Sequence, residues 1–333
     1  MSDNSLIEWL NKPGYRPATL NPTVGCKRVS PGCDHCYPIP IARIRERNPH
    51  PAVAAAYAGV VEHTGDRLDW TGQVNLLPDR LDQPLRWRDP RMVFIDSMSD
   101  LFHDAIPDEY IARVFAMMAR TPRHLYVALT KRHGRMRSLL NSPNWRGSVA
   151  GLVRAAQPGQ PLDEFDALTL GFVQTGVLPH VWLGVSVEDQ KRADLRIPAL
   201  LETPTAVPWI SAEPLLGPVA LRDEWLIAEP WSTDNALSWV VAGGESGPGA
   251  RPMHSDWARG LRDQCIRAGV PFFFKQRGQH TWQMPEDGHE PDLYVRASTD
   301  EIGADAWQPV WNVGKHQAGA VLDGRTWTEY PDA

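Results

Sequence analysis

Short apolar runs recur along the chain at intervals of about 30 residues, each ending in polar residues and followed by a stretch with helical spacing. The clearest are RMVFIDSM (91–98), HLYVALT (124–130), HVWLGVSV (180–187), VPWISAE (207–213), WVVAGGE (239–245) and VPFFFKQ (270–276). That interval is the length of one strand–helix unit. Two weaker runs, ATLNPTV (18–24) and GQVNLLP (72–78), bring the count to about eight. The pattern predicts an α/β fold, a TIM-like (β/α) barrel, complete or partial. An open doubly wound sheet is the alternative, because strand order is not legible in one sequence.

Between the runs lie helices. PDEYIARVFAMMART (107–121) opens with Pro and acids and places Ile111, Val114, Phe115 and Met118 at helical spacing. SDWARGLRDQCIRAG (255–269) begins with Ser-Asp as an N-cap signal and ends on Gly269, with Leu261, Cys265 and Ala268 on an inner face. One interval is nearly twice as long and contains 142–176, rich in Gly, Pro and Gln, which reads as an insertion or an ordered loop. The barrel is thus assigned to 1–278 with that insertion. Residues 279–333 carry Trp, Gly and acids without clear periodicity and read as a C-terminal extension, not a second core. Trp182, Trp209 and Trp239 alternate with core positions in their strands, so packing is their expected role.

Composition narrows the function classes. The 333 residues carry a formal net charge of −6, so no global positive field draws the chain onto nucleic acid, although a local basic groove stays open. No apolar run approaches the roughly 18 residues a bilayer span needs, and the first residues lack a secretory layout. No membrane association and a cytoplasmic location are expected. Four cysteines in so long a chain do not make a disulfide framework.

Three of the four fall within eleven residues, in NPTVGCKRVSPGCDHCY (21–37). The spacing is C-x6-C-x2-C. Cys33 and Cys36 can bite one metal centre, and the spacer with Pro31 and Gly32 can loop back to bring Cys26 onto it. Gly25 and Gly32 permit turns that a Cβ would oppose. Three thiolates on a 4Fe-4S cluster leave one iron open for the amine and carboxylate of a cosubstrate, and such a cluster supports radical chemistry. A zinc site is the second reading, with His35, His50, His63 or His103 as fourth ligand, in a non-enzymatic module that binds a nucleotide or protein partner. Unliganded buried thiols are the third. Cys265, alone on an apolar helical face, is read as core.

Polar residues cluster where the apolar runs end, which in a barrel is where chemistry gathers. They include Asp96, Ser97, Ser99 and Asp100, then Thr130, Lys131 and Arg132, then Ser186, Glu188 and Asp189. Ser211 and Glu213 follow, then Gly243, Gly244, Glu245 and Ser246, then Lys275 and Gln276. So many charges are costly to bury unpaired. They form either a ring of mutual salt bridges or a polar mouth that holds ligands. On the second reading, AGGESGPGAR (242–251) is the sharpest piece. Its paired glycines admit a ligand and Glu245 accepts from an ammonium group. Gly243, Gly244, Glu245, Ser246, Asp96, Ser97, Ser186, Glu188 and Arg251 are then candidates for cofactor binding. Lys131, Glu213 and Lys275 are candidates for catalysis or substrate contact.

NPTVGCKRVSPGCDHCY, FIDSMSDLFHD, ALTKR, WLGVSVED, AEPLLGP, WVVAGGESGPGARP, FFFKQRG and LDGRTW (322–327) together resemble an uncharacterised phage-associated protein family known for a three-cysteine motif. The resemblance runs from about Trp9 to the C-terminus. It implies kinship with radical S-adenosylmethionine enzymes: a 4Fe-4S cluster on Cys26, Cys33 and Cys36, S-adenosylmethionine as cosubstrate, a reductant for the cluster, and a partner protein encoded nearby. It names no substrate; the phage association suggests a nucleic-acid base or a nucleotide. The chain departs from the common C-x3-C-x2-C radical-enzyme spacing, and its glycine-glycine-glutamate triplet comes late. It also reads Cys36-Tyr37-Pro38-Ile39-Pro40 where the family continues Cys-Tyr-Ala, so the prolines are expected to delay the next helix.

Overall fold

The computed structural model describes residues 5–156, 164–228, 235–286, 288–297 and 307–332. In it the apolar runs become one sheet. The strands are β1 (Arg16–Leu20), β2 (Arg91–Ile95), β3 (Leu125–Thr130), β4 (Val181–Ser186), β5 (Val207–Ala212), β6 (Trp239–Gly243) and β7 (Phe272–Gln276). Each pairs in parallel with the next, so spatial order follows chain order without reversal. A doubly wound sheet needs a reversal; this seven-stranded half-barrel has none. Seven strands stand where the sequence suggested about eight. GQVNLLP does not join the sheet, because Asn75–Leu76 pairs antiparallel with Thr23–Val24.

Alternation along the strands sorts two cores. One set, including Val93, Ile95, Tyr126, Leu183, Ile210, Val240 and Phe272, packs with the helices. These are α1 (Pro38–Glu46), α2 (Asp108–Ala119), α3 (His133–Leu140), α4 (Pro143–Ala155), α5 (Glu164–Thr175), α6 (Gln190–Leu201) and α7 (Ser255–Ala268), of which α1 belongs instead to a small separate cluster around Val24, Tyr57 and Trp70. The other set, including Phe94, Val127, Trp182, Trp209, Trp239 and Phe273, fills the concave side with Trp9 and Leu10. Trp9 lies 5.4 Å from Trp209 and Trp239 lies 5.3 Å from Trp209, ring centre to ring centre. The three strand tryptophans have no solvent exposure.

The edges of the half-barrel are bridged locally. The single turn Glu8–Leu10 contacts β1, β2 and β7. Phe274 donates its N–H to Trp327 O (2.9 Å), and Glu329 donates to Phe272 O (3.2 Å). Tyr330 packs on Trp239 and Phe273 at 5.6 and 5.7 Å. A bare parallel edge would present unpaired backbone groups, and the C-terminal residues cover this one. The described C-terminal region also holds a three-stranded antiparallel sheet from His280–Thr281, Leu293–Arg296 and Trp307–Asn312, and a two-stranded ribbon from Val321–Leu322 and Arg325–Thr326.

Two local expectations are corrected, and for 142–176 the ordered-loop alternative is set aside. The prolines after Cys36 do not delay a helix: Pro38 opens α1, where the first turn needs no N–H donor. The described part of 142–176 is helical. Ser142 caps α4 by accepting from Trp145 N, and Trp145, Val149 and Val153 form its buried stripe; 157–163 lie outside the described residues. His254, not Ser255, caps α7, its side chain accepting from Asp256 N. No helix among the described residues is long and apolar enough to cross a membrane.

Gly184 in β4 is required by the aromatic core. A Cβ there would lie 2.4 Å from the Trp209 indole, a residue held on all sides. Gly184→Ala is expected to cost about 1–3 kcal/mol of stability by overpacking, read as a lower denaturant midpoint at unchanged slope.

Candidate functional site

The C-terminal strand ends open onto one cavity of about 610 Å³. Cys26, Cys33 and Cys36 all line it, together with Asp96, Ser97, Lys131, Ser186, Glu213, Gly244, Glu245, Ser246 and Lys275. Gly243, Glu188 and Arg251 lie behind that surface and act on it through neighbours.

The cysteine segment is laid over the strand ends by bonds at both of its ends. Gly25, at φ +106°, donates its N–H to Met98 O (3.1 Å), and its carbonyl accepts from Ser99 Oγ (2.7 Å). Cys26 is thereby fixed beside the loop after β2. Cys33 closes the turn Pro31–Cys33, donating its N–H to Ser30 O (2.9 Å), while Arg28 donates to the Cys33 carbonyl and pairs with Asp69 at 2.6 Å. Gly32 is needed for close approach: a Cβ would sit 2.4 Å from Glu188 Oε1.

Two carboxylates brace this loop. Glu188 has no solvent exposure and is compensated by Arg196 at 3.0 Å, by Ser30 Oγ donating at 2.6 Å, and by Lys131 Nζ at 4.0 Å. Glu245 is held by Arg251, which donates from Nε (2.9 Å), Nη2 (2.6 Å) and its backbone N–H (2.8 Å). The same guanidinium donates to Pro31 O (2.8 Å) and reaches Asp34 at 3.3 Å. Both Glu245 oxygens are therefore committed to Arg251. Gly244 serves backbone packing, since a Cβ would lie 2.0 Å from Arg277 O.

Other groups face the cavity with room to act. Lys131 donates from Nζ to Ser186 Oγ (3.0 Å). Lys275 pairs with Glu213 at 3.2 Å, and Ser211 Oγ donates to the other Glu213 oxygen at 3.2 Å. Asp100, in contrast, accepts from Thr130 Oγ1 (2.7 Å), Lys131 N (3.0 Å) and Phe102 N (3.1 Å), which makes it a loop anchor. Asp96 is buried at φ +59° and accepts from Thr23 N–H (3.1 Å) and Thr23 Oγ1 (2.9 Å). Burial pushes its carboxyl up from 3.8 to about 8.

Burial also pushes the Cys26 thiol up to about 12 and the Cys36 thiol to about 11. Each is also raised by another cysteine, Cys26 by Cys36 and Cys36 by Cys33. Among the described residues no three His, Cys, Asp or Glu side chains form a ready-made metal group. Of the histidines, His35 lines the cavity, whereas His50, His63 and His103 do not. Cys265 is fully buried in the main core, far from this wall.

A protein-family model described as "Protein of unknown function (DUF5131)" spans residues 4–331. The chain belongs to this family. No curated protein and no solved structure matches it. The DUF5131 match therefore fixes kinship over nearly the whole chain, and the cavity's own chemistry has to carry any functional reading.

The sequence reading missed Ser30, Thr23, Asn21 and Arg196. Asn21 Oδ1 accepts from Ser97 Oγ (3.1 Å) and Met98 N (2.9 Å), tying the end of β1 to the end of β2. Thr23 and Asn21 were visible as polar positions in NPTVGC, but their partners lie over seventy residues away.

Two outcomes follow. Arg251→Ala, which leaves Glu245 buried without its partner, is expected to speed amide exchange across 26–36 by roughly tenfold or more, with β4 unaffected, in hydrogen-exchange mass spectrometry. Asp96 is protonated in the fold and ionised in the unfolded chain between pH 3.8 and about 8. Its contribution is therefore fully present in acid and is lost as pH rises through about 8. Asn accepts from Thr23 N–H through Oδ1, donates from Nδ2 to Thr23 Oγ1, and suits the left-handed backbone. Asp96→Asn is expected to match the wild type near pH 4 and exceed it by on the order of a few kcal/mol at pH 9, measured by urea denaturation at each pH.

Proposed function

We propose that this chain is an iron–sulfur enzyme of the radical S-adenosylmethionine type, built on a partial TIM-like barrel and acting on a nucleic-acid base or nucleotide. The observation that carries the reading is that three thiols and the strand-end polar groups line one cavity. The donor set fits a cluster better than a closed zinc site: three sulfurs line the wall, and His35 is the sole expected fourth ligand that shares it. Cys26, Cys33 and Cys36 would hold the cluster, drawing the loop together as their protons leave. When bound, a 4Fe-4S cluster supplies the electron for reductive cleavage of the sulfonium of S-adenosylmethionine.

The chain's own residues then bind and orient. Trp9, Phe94 and Leu129 give the cavity an apolar floor against which a planar ring can lie. Lys131 and Lys275 present ammonium groups whose partners, Ser186 and Glu213, fix their direction. Ser97 and Ser246 add neutral hydrogen-bonding groups. Glu188, Glu245 and Arg251 support the cysteine loop from behind. A cytoplasmic reductant and a partner protein belong to the same proposal.

Anaerobic purification tests it. Brown protein with about four iron and four sulfide per chain is expected, and reduction with S-adenosylmethionine present should release 5′-deoxyadenosine and methionine. Cys33→Ala should lose the iron, whereas Cys265→Ala should retain it and cost only packing, about 1 kcal/mol. Colourless protein with one zinc and no sulfide would support the non-enzymatic module and sink the enzyme reading. A stable cluster with no cleavage product would leave a redox sensor.

A further inference from the structure

The cavity's rim is chemically unlike its interior. Its exposed lining residues divide into polar ones, the cations Lys27 and Arg45 with His35, and apolar or aromatic side chains, Leu6, Val29, Tyr37 and Ile41. No carboxylate is among them, in a chain whose net charge is −6. Neither Lys27 nor Arg45 forms an ion pair among the described residues, so both charges are available to an outside partner. Their neighbours Arg28 and Arg43 are, by contrast, committed to Asp69 and Glu46 at 2.6 Å each.

Tyr37 is placed for stacking. Its hydroxyl donates to Ser97 O (2.9 Å), which holds the ring at the mouth, while 53% of the residue remains exposed. An aromatic face and two uncompensated cations lining one cavity with an apolar floor combine the three elements that bind single-stranded nucleic acid: charge for phosphate, a ring for one base, and a recess for another. A volume of about 610 Å³ is that of a small-molecule site and suits one nucleotide, not a duplex.

We infer that the cavity takes one base of a single-stranded polynucleotide, whose flanking phosphates lie on Lys27 and Arg45 and whose adjacent base stacks on Tyr37. This rests on the reading above for the chemistry, and sharpens its substrate from a nucleotide in general to a strand. The acidic remainder of the protein repels polyanions, so contact is confined to the rim and binding depends steeply on salt.

Fluorescence anisotropy with labelled single strands of about twelve nucleotides, DNA and RNA in separate arms, tests this on both apo and anaerobically loaded protein. Lys27→Glu combined with Arg45→Glu should weaken binding by roughly tenfold or more and lower the salt slope by about 1.4. Tyr37→Ala should weaken it by about tenfold with the slope unchanged. Arg267→Glu, an exposed change on α7 outside the cavity lining, should do neither. Preference for either strand chemistry over a duplex supports the inference. Equal affinity for duplex, affinity for a mononucleotide as great as for the strand, or binding only to anionic vesicles overturns it. The two readings fail separately. Strand binding without a cluster refutes the enzyme alone, and deoxyadenosine formation without strand binding refutes the strand alone.

Discussion

A carboxylate with no solvent exposure must be compensated where it stands, and Glu188 meets that requirement through Arg196, Ser30 and Lys131. The consequence reaches beyond one residue. Because Ser30 and Gly32 belong to the cysteine segment, satisfying a buried charge at the end of β4 also fastens that segment in place. Lys131 is drawn into the same network and so enters the cavity from β3. The position of one thiol, the direction of one ammonium and the solvation of one buried acid are a single problem with a single solution.

Glu245 and Arg251 repeat the logic on another side of the loop. Their pair is bidentate, which fixes orientation as well as distance, and it leaves the guanidinium free to reach Pro31 and Asp34. The two readings of the strand-end charges, a closed ring of salt bridges and an open polar mouth, thus apply to different residues. Glu188, Glu245 and Asp100 are spent internally. Lys131, bonded to Ser186, and the pair Glu213–Lys275 keep a face on the cavity.

The strands were legible because a parallel sheet covered on both faces needs unbroken apolar runs, and VWLGVS, VPWISA and WVVAG are buried throughout. The helix over Asp108–Ala119 was legible for its caps and spacing, and the tryptophans for their alternation. Other features were hidden by short length or long range. Gly and Pro masked the Trp145, Val149, Val153 stripe, and a two-residue ribbon looked like a full strand at 72–78. The braces were unreadable in principle: Ser30 meets Glu188 across 158 positions and Arg251 meets Pro31 across 220. A single sequence lists such partners but does not join them.

The seam between β1 and β7 has a consequence for how the molecule is made. It is sealed by Glu8–Leu10 from one end of the chain and by Trp327–Tyr330 from the other, with Lys12 donating to Pro331 O at 2.8 Å and Lys315 pairing with Glu8 at 2.8 Å. A chain in which Trp327–Tyr330 have not yet docked has all seven strands but an open flank with the indole cluster accessible. Whatever tugs on residues 327–331 therefore perturbs the aromatic interior before it disturbs the thiol wall.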